Sequence, residues 1–367
     1  MKYEVEKYGE ELKALNETIW EAAELKFEEV RSMKAMTDLL KGHGFSVETG
    51  TGGIPTAFRA VYGSGSPVIG LLAEYDALDG LSQKAGKLEK APRPETTHGH
   101  GCGHNLLGTG VAAAALDLRD YLEQHPGMGT VVVYGCPAEE GGSGKTIMAG
   151  AGVFDELDAA LTWHPCTINA SMGCSMLANC QAYFKFYGLA SHAGNAPQKG
   201  RSALDAVELM DVGVNFLREH MEMTDRIHYA VLNTGGTSPN VVQEYAEVLY
   251  LVRSRTNEGV KELYERVCDV ARGAALMTDT RVEIEFDKAC SNVVPNGVLG
   301  KMAYDIMVRL GPPEYTKEER EYVKAYHELV GREAVLHDDG AVPPYDMEVR
   351  KQLVADHPMA DFVLPYK

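Results

Sequence analysis

The feature that most constrains this chain is a set of short apolar runs, VIGLLAEY (68–75), GTVVVYGC (129–136) and DAALTWH (158–164). Each is too brief for a helix, and runs of this kind read as strands buried on both faces. Between them lie helical patterns over Leu106–Glu123 and Lys145–Phe154. Strands alternating with helices predict an α/β fold with a parallel, doubly wound sheet. Ahead of the first run, Leu12, Leu15, Ile19, Ala23, Val30, Met33 and Met36 recur at helical spacing, and Gly42 and Gly44 supply a stop. This predicts one long or two consecutive amphipathic helices. TAFRAVY, a GSGS turn and VIGLLAEY then read as a hairpin leading into a central strand.

After Cys180 the rhythm changes. QAYFKFYG, a helix over Ser202–Met221, RIHYAVLN, AEVLYLVRS, a helix over Val260–Met277 and RVEIEFD follow in the order β-α-β-β-α-β, the split βαβ sandwich. Residues 183–292 are therefore expected to form an inserted domain between two parts of a first domain, 1–182 and 293–367. A free-standing sheet of this kind has a face and edges that need covering, which predicts a homodimer through the insert. Helices are expected over Gly297–Leu310 and Lys317–Val330, whereas His337–Lys367 shows no evident final strand. At 367 residues the chain exceeds one ordinary core.

Charge and cysteine narrow the function. Against 35 Lys and Arg stand 53 Asp and Glu, a formal charge of −18, so nucleic acid and anionic membrane surfaces are poor partners. No apolar run approaches bilayer length, and MKYEVEKYGEELK is an acidic helical pattern rather than an export signal. Seven scattered cysteines fit a reducing cytoplasm better than a disulfide framework.

The unusual chemistry falls at strand ends, where parallel sheets form their ligand crevice. His98, His100, Cys102 and His104 alternate in the glycine-rich loop THGHGCGHNLLG. Glycine lets a thiolate and an imidazole two residues apart aim at one point, so this loop reads as metal-binding rather than as a few exposed imidazoles. Glu139 and Glu140 follow the second run. Adjacent carboxylates repel, so a positive group belongs beside them; one could bind a metal and the other take a proton from water. His164 ends the third run, level with both clusters, and is a further ligand candidate. His192 lies in a loop before a helix capped by Ser202, and Asn240 in a polar turn between two strands. GSGK, ending at Lys145, lacks the spacing of a phosphate loop.

LLAEYDAL, HGCGHNLLG, CPAEEGGSGK, ALTWHP, GRSALDAV and SPNVVQ, in that order, resemble the M20 metallopeptidase and amidohydrolase family, within it the branch of aminobenzoyl-glutamate hydrolases. The resemblance implies a zinc-peptidase-like catalytic domain interrupted by a dimerisation domain. It implies Cys102, His104, Glu140 and His164 as metal ligands, Glu139 as general base, and His192 as an oxyanion donor reaching the partner subunit's site, with Asn240 in the same pocket. It also implies two divalent cations, zinc or manganese, and hydrolysis of an N-acyl or N-aroyl amino acid, first among them aminobenzoyl-glutamate. A second subunit of the same family is an implied partner. Relatives carry a later strand and histidine beyond Val363–Lys367, and His327, His337 and His357 are not in its motif, so the second cation is expected to be held weakly or lost. Two rival readings remain: an amidohydrolase for dipeptides or other N-acyl amino acids, and a non-catalytic homologue.

Overall fold

The computed structural model describes residues 5–166, 170–171, 173–311, 315–329 and 362–363. The amphipathic stretch at the start folds as two helices, α1 (Gly9–Ala22) and α2 (Val30–Gly42). The chain breaks between them at Ala23, whose φ of 43° is left-handed. After them come β1 (Ser46–Thr49), β2 (Phe58–Ser64), β3 (Val68–Ala73), α3 (His104–Gln124), β4 (Gly129–Gly135), the single turn α4 (Glu139–Gly142), α5 (Gly144–Gly150) and β5 (Ala159–Leu161). The sheet order is β1-β2-β4-β3-β5. β3 runs parallel to β4 and β5, whereas β1–β2 and β2–β4 are antiparallel.

This mixed sheet corrects two expectations. It is not parallel throughout, and β2 and β3 do not form a hairpin, because β4 lies between them. The reason is burial. In β4 every residue from Val131 to Tyr134 is buried, so it takes a position with partners on both edges. The short GSGSP link carries the chain across the start of β4, where Thr130 N–H donates to the Pro67 carbonyl at 2.9 Å. Val131 and Val133 face Ile19, Met36, Leu40, Leu107 and Leu116 of α1–α3. Val132 and Tyr134 point the other way, toward Met148 of α5.

The chain divides into two compact units, residues 1–168 with 313–338 and residues 169–312 with 339–367. The second holds β6 (Ser175–Met176), β7 (Ala178–Tyr187), β8 (Ser191–His192), α6 (Ala203–Leu217), β9 (Arg226–Asn233), β10 (Val241–Val242), β11 (Tyr245–Ser254), α7 (Asn257–Thr278), β12 (Arg281–Cys290) and α8 (Gly297–Leu310). Its four-stranded antiparallel sheet has the order β12-β7-β11-β9. Alternate residues of β7, Ala178, Cys180, Ala182, Phe184 and Phe186, pack against Val207 and Met210 of α6 and Leu263 and Val267 of α7. Ser202 and Thr256 cap those helices by accepting from the Asp205 and Gly259 amides. α9 (Lys317–Leu329) belongs to the first unit. A two-residue strand β13 (Phe362–Val363) pairs with β6 where no final strand was expected, since two residues leave no readable periodicity. His337 and His357 lie outside the described residues. Among those described, no helix is long and apolar enough to cross a membrane, and none of the seven cysteines is in a disulfide.

Candidate metal centre

Because β3, β4 and β5 are parallel, their C-terminal ends share one edge of the sheet. Glu74 and Asp76 follow β3, Glu139 and Glu140 follow β4, and His164 follows β5. Cys102 and His104 reach the same edge from the start of α3, on either side of Gly103. Gly103 has φ +81°, and a side chain there would press on Pro165. A left-handed residue at this point turns the chain into the helix while thiol and imidazole stay on one side.

Cys102 Sγ lies 3.3 Å from His164 Nε2. The His164 Nδ1–H donates to the Pro165 carbonyl at 2.8 Å, which leaves Nε2 for the thiol. Trp163 holds the strand end by donating Nε1–H to the Leu107 carbonyl. His104 is fully buried, its Nδ1 donating to Asp76 Oδ1 at 2.9 Å, so that its Nε2 faces the centre. Asp76 is itself only 1% exposed, and its other oxygen accepts the Glu140 backbone N–H at 2.7 Å. One carboxylate thus sets both an imidazole and a neighbouring backbone turn, as carboxylate–histidine pairs do beside metals.

The electrostatics follow from this packing. Burial pushes His104 down, but the hydrogen bonds to Asp76 and Cys102 and the charge of Glu74 outweigh it and raise the imidazole to about 11. Bonding to His104 and His164 lowers the Cys102 thiol, and the same contact raises His164 to about 9. Burial, then the charge of Glu74, raises Glu139. Three buried atoms here lack a hydrogen-bond partner: His104 Nε2, Glu74 Oε2 and Glu140 Oε1. Buried polar atoms without partners are rare, and several around one point fit a cation that would satisfy them. The ligand atoms of Cys102, His104 and His164 lie within 4.8 Å of one another, as do those of Glu74, His104 and Glu139. The 3.3 Å between Cys102 and His164 is close to the spacing of two ligands at roughly 2.0–2.3 Å from one zinc.

Not all of the histidine-rich loop takes part. His98 turns to Asp79 at 3.7 Å. His100 is buried against α1, its Nε2–H donating to the Ile19 carbonyl and its ring stacked on Trp20, and burial lowers it to about 4. Alternation along an extended loop sends only Cys102 and His104 to the centre. The sequence reading also passed over Glu74, Asp76 and Lys145. The signal for the first two was present, since AEYD places two acids just past a buried strand. Lys145 forms a close ion pair with Glu74 and lowers the cost of charge on Glu139, the positive neighbour the paired glutamates require.

In the second unit His192 and Asn240 come together. β8 pairs with β10, Val241 sits opposite His192, and the Ala193 N–H donates to the Asn240 carbonyl at 2.9 Å. The His192 Nδ1 accepts from the Gly194 and Asn195 amides at 3.2 and 3.0 Å, which places its hydrogen on the outward Nε2.

The family model described as peptidase family M20/M25/M40 matches residues 70–343. The chain belongs to this family. Among M20 relatives, one of the two subunits of the Escherichia coli p-aminobenzoyl-glutamate hydrolase is 52% identical over 83% of this chain, a match that spans 64% of that relative. The Xaa-Arg dipeptidase of Mus musculus is 35% identical over 80% of this chain and 67% of its own. In fold, this M20 chain resembles an aminobenzoyl-glutamate utilization protein from Klebsiella pneumoniae, with a TM-score of 0.66, 19% identity, and coverage of 90% of this chain and 91% of that one.

Proposed function

We propose that this chain is a metal-dependent amidohydrolase that cleaves the amide of an N-aroyl or N-acyl amino acid, with aminobenzoyl-glutamate the first substrate. The observation that carries the reading is the convergence of Cys102, His104, Glu140 and His164 on one edge of the sheet, with buried lone pairs of His104 and Glu140 unsatisfied. These four residues would hold zinc or manganese, two cations with Glu74 or Glu139 at hand for the second, and the second the weaker. The cations, when bound, acidify water and polarise the scissile carbonyl. Glu139, half exposed beside buried neighbours, accepts the proton of the attacking water and returns it to the leaving amine. Its raised proton affinity suits a group that must both take and give a proton near neutrality. His192 donates through Nε2–H to the oxyanion, with Asn240 beside it.

The finer architecture in this proposal is a doubly wound catalytic domain, residues 1–182 with 293–367, and an insert, 183–292, that pairs two chains as a homodimer and carries His192 to the partner's site. The 52% identical relative is named as one subunit of its hydrolase, and the other subunit of that enzyme is 27% identical to this chain, which supports a second subunit of the same family as a further partner. Seven scattered thiols, those of Cys136, Cys180 and Cys268 buried, support a reducing, cytoplasmic setting. The 35% identical dipeptidase favours dipeptides as the second substrate class.

The test is to incubate the metal-replete chain with p-aminobenzoyl-glutamate and, separately, with a dipeptide ending in arginine. Release of aminobenzoate that stops on chelation and returns with zinc or manganese is expected. Turnover of the dipeptide alone would move the substrate class, and no turnover of any N-acyl amino acid would overturn the enzyme reading.

A further inference from the structure

The loop between α1 and α2 reaches the turn that carries Glu139 and Glu140. Glu29 is 0% exposed. One of its oxygens accepts the backbone N–H of Ala138 at 2.8 Å, and the other accepts the Thr56 hydroxyl at 2.9 Å. The Thr56 carbonyl in turn accepts the Tyr75 hydroxyl at 2.7 Å, and Tyr75 stands between Glu74 and Asp76. Glu29 therefore ties the end of β4 to the end of β3. Two more contacts come from the same loop. The Lys26 ammonium donates to the Gly141 carbonyl at 3.4 Å. The Phe27 ring packs where Gly142 has no side chain, and a Cβ there would lie 2.8 Å from it.

Both partners in this contact are held in an unfavourable backbone conformation. Ala138 has φ 58° and Phe27 φ 65°, left-handed values that are uncommon for residues with a side chain and rare for a bulky one. Such residues persist only where the surroundings over-determine them, and they gather at functional sites. Ala138 immediately precedes Glu139, so its conformation sets the direction in which both glutamates leave the strand. The family match begins at residue 70, and Lys26, Phe27, Glu29 and Thr56 all lie ahead of it.

We infer that Glu29 is a positioning residue for the Glu139–Glu140 turn, its buried carboxylate holding the Ala138 amide in the left-handed conformation that aims both side chains at the metal centre. The inference rests on the proposed role of Glu139 as base. Without an acceptor at position 29 the Ala138 N–H is buried and unpaired, and the turn has a reason to leave its conformation.

The experiment compares the full chain with Glu29→Ala, Glu29→Gln and Glu29→Asp. Backbone hydrogen exchange is read without substrate over residues 137–144, and kcat and KM are read with it. Glu29→Ala should speed exchange in this segment by about tenfold or more, as loss of one buried hydrogen bond implies. It should leave the peptides of β7 and α6 unchanged and lower kcat at least tenfold with KM near the parent value. Glu29→Gln keeps an oxygen for Ala138 and should restore most of both. Glu29→Asp keeps the charge but withdraws the acceptor by a methylene, and should behave like the Ala variant if that variant fails to fold. Parent-like exchange over 137–144 in the Ala and Asp variants would overturn the inference. So would exchange that rises equally throughout the first unit, or a Gln variant as impaired as Ala. Exchange is read independently of turnover, so a parent chain that hydrolyses no amide defeats the proposed function and leaves this test standing.

Discussion

The two units bury different chemistry at the centre of the same kind of layered fold. In the second, the inward residues of β7 and β11 form an apolar cluster with α6 and α7, and among the described residues only Asp225, Cys180, Cys268 and Tyr250 are buried titratable side chains. In the first, the ends of three strands enclose Glu29, Glu74, Asp76, His100 and His104. An unpaired polar atom costs more inside a protein than a lost contact on its surface. The first unit nevertheless keeps three such atoms side by side. The difference teaches where stability and function separate: the second unit has the packing of a scaffold, and the first carries unsatisfied polarity where a cation can meet it.

The comparison can be sharpened by variants that should affect one property and spare the other. The largest effect is expected at Glu139. Glu139→Gln keeps shape and polarity but cannot take a proton, so kcat should fall by roughly 10²–10⁴-fold, while elemental analysis finds the parent's metal content. Activity near the parent's in that variant would remove Glu139 from the base role. In the second unit, Phe184→Ala empties a fully buried position and should lower unfolding free energy by about 3–5 kcal/mol, measured by urea denaturation. The folded variant should bind metal as the parent does, and a loss of metal would break the division of labour. Smaller again is Asp76→Ala, which frees the His104 ring and the Glu140 amide. Metal affinity should weaken by about 10–100-fold, read by competition with a coloured chelator, and unchanged affinity would show that Asp76 orients neither.

Much of this was legible in the sequence, for identifiable reasons. RIHYAVLN and the helix over Gly297–Leu310 appear with the expected bounds, because amphipathic period and flanking polar residues agree there. Cys102, His104, Glu139, Glu140 and His164 meet because they stand just past strands that the sheet runs in parallel. What sequence could not give was sheet order. GSGS between two apolar runs looks like a hairpin turn, and only the full burial of β4 shows why that strand comes between them. Nor could spacing separate Cys102 and His104 from His98 and His100, since alternate residues of a loop face opposite ways and the core side is fixed by α1. Glu29 gave no signal at all, because its partner amide lies more than a hundred residues away.

The central claim is that the unsatisfied atoms at the ends of β3–β5 make a metal centre, and anomalous X-ray scattering from crystals grown with zinc or manganese tests it most directly. The account predicts a cation bonded to Cys102 Sγ, His104 Nε2, His164 Nε2 and Glu140, with Asp76 still holding the far side of the His104 ring. Strong anomalous density elsewhere, with Cys102 and His164 left in contact only with each other, would contradict it.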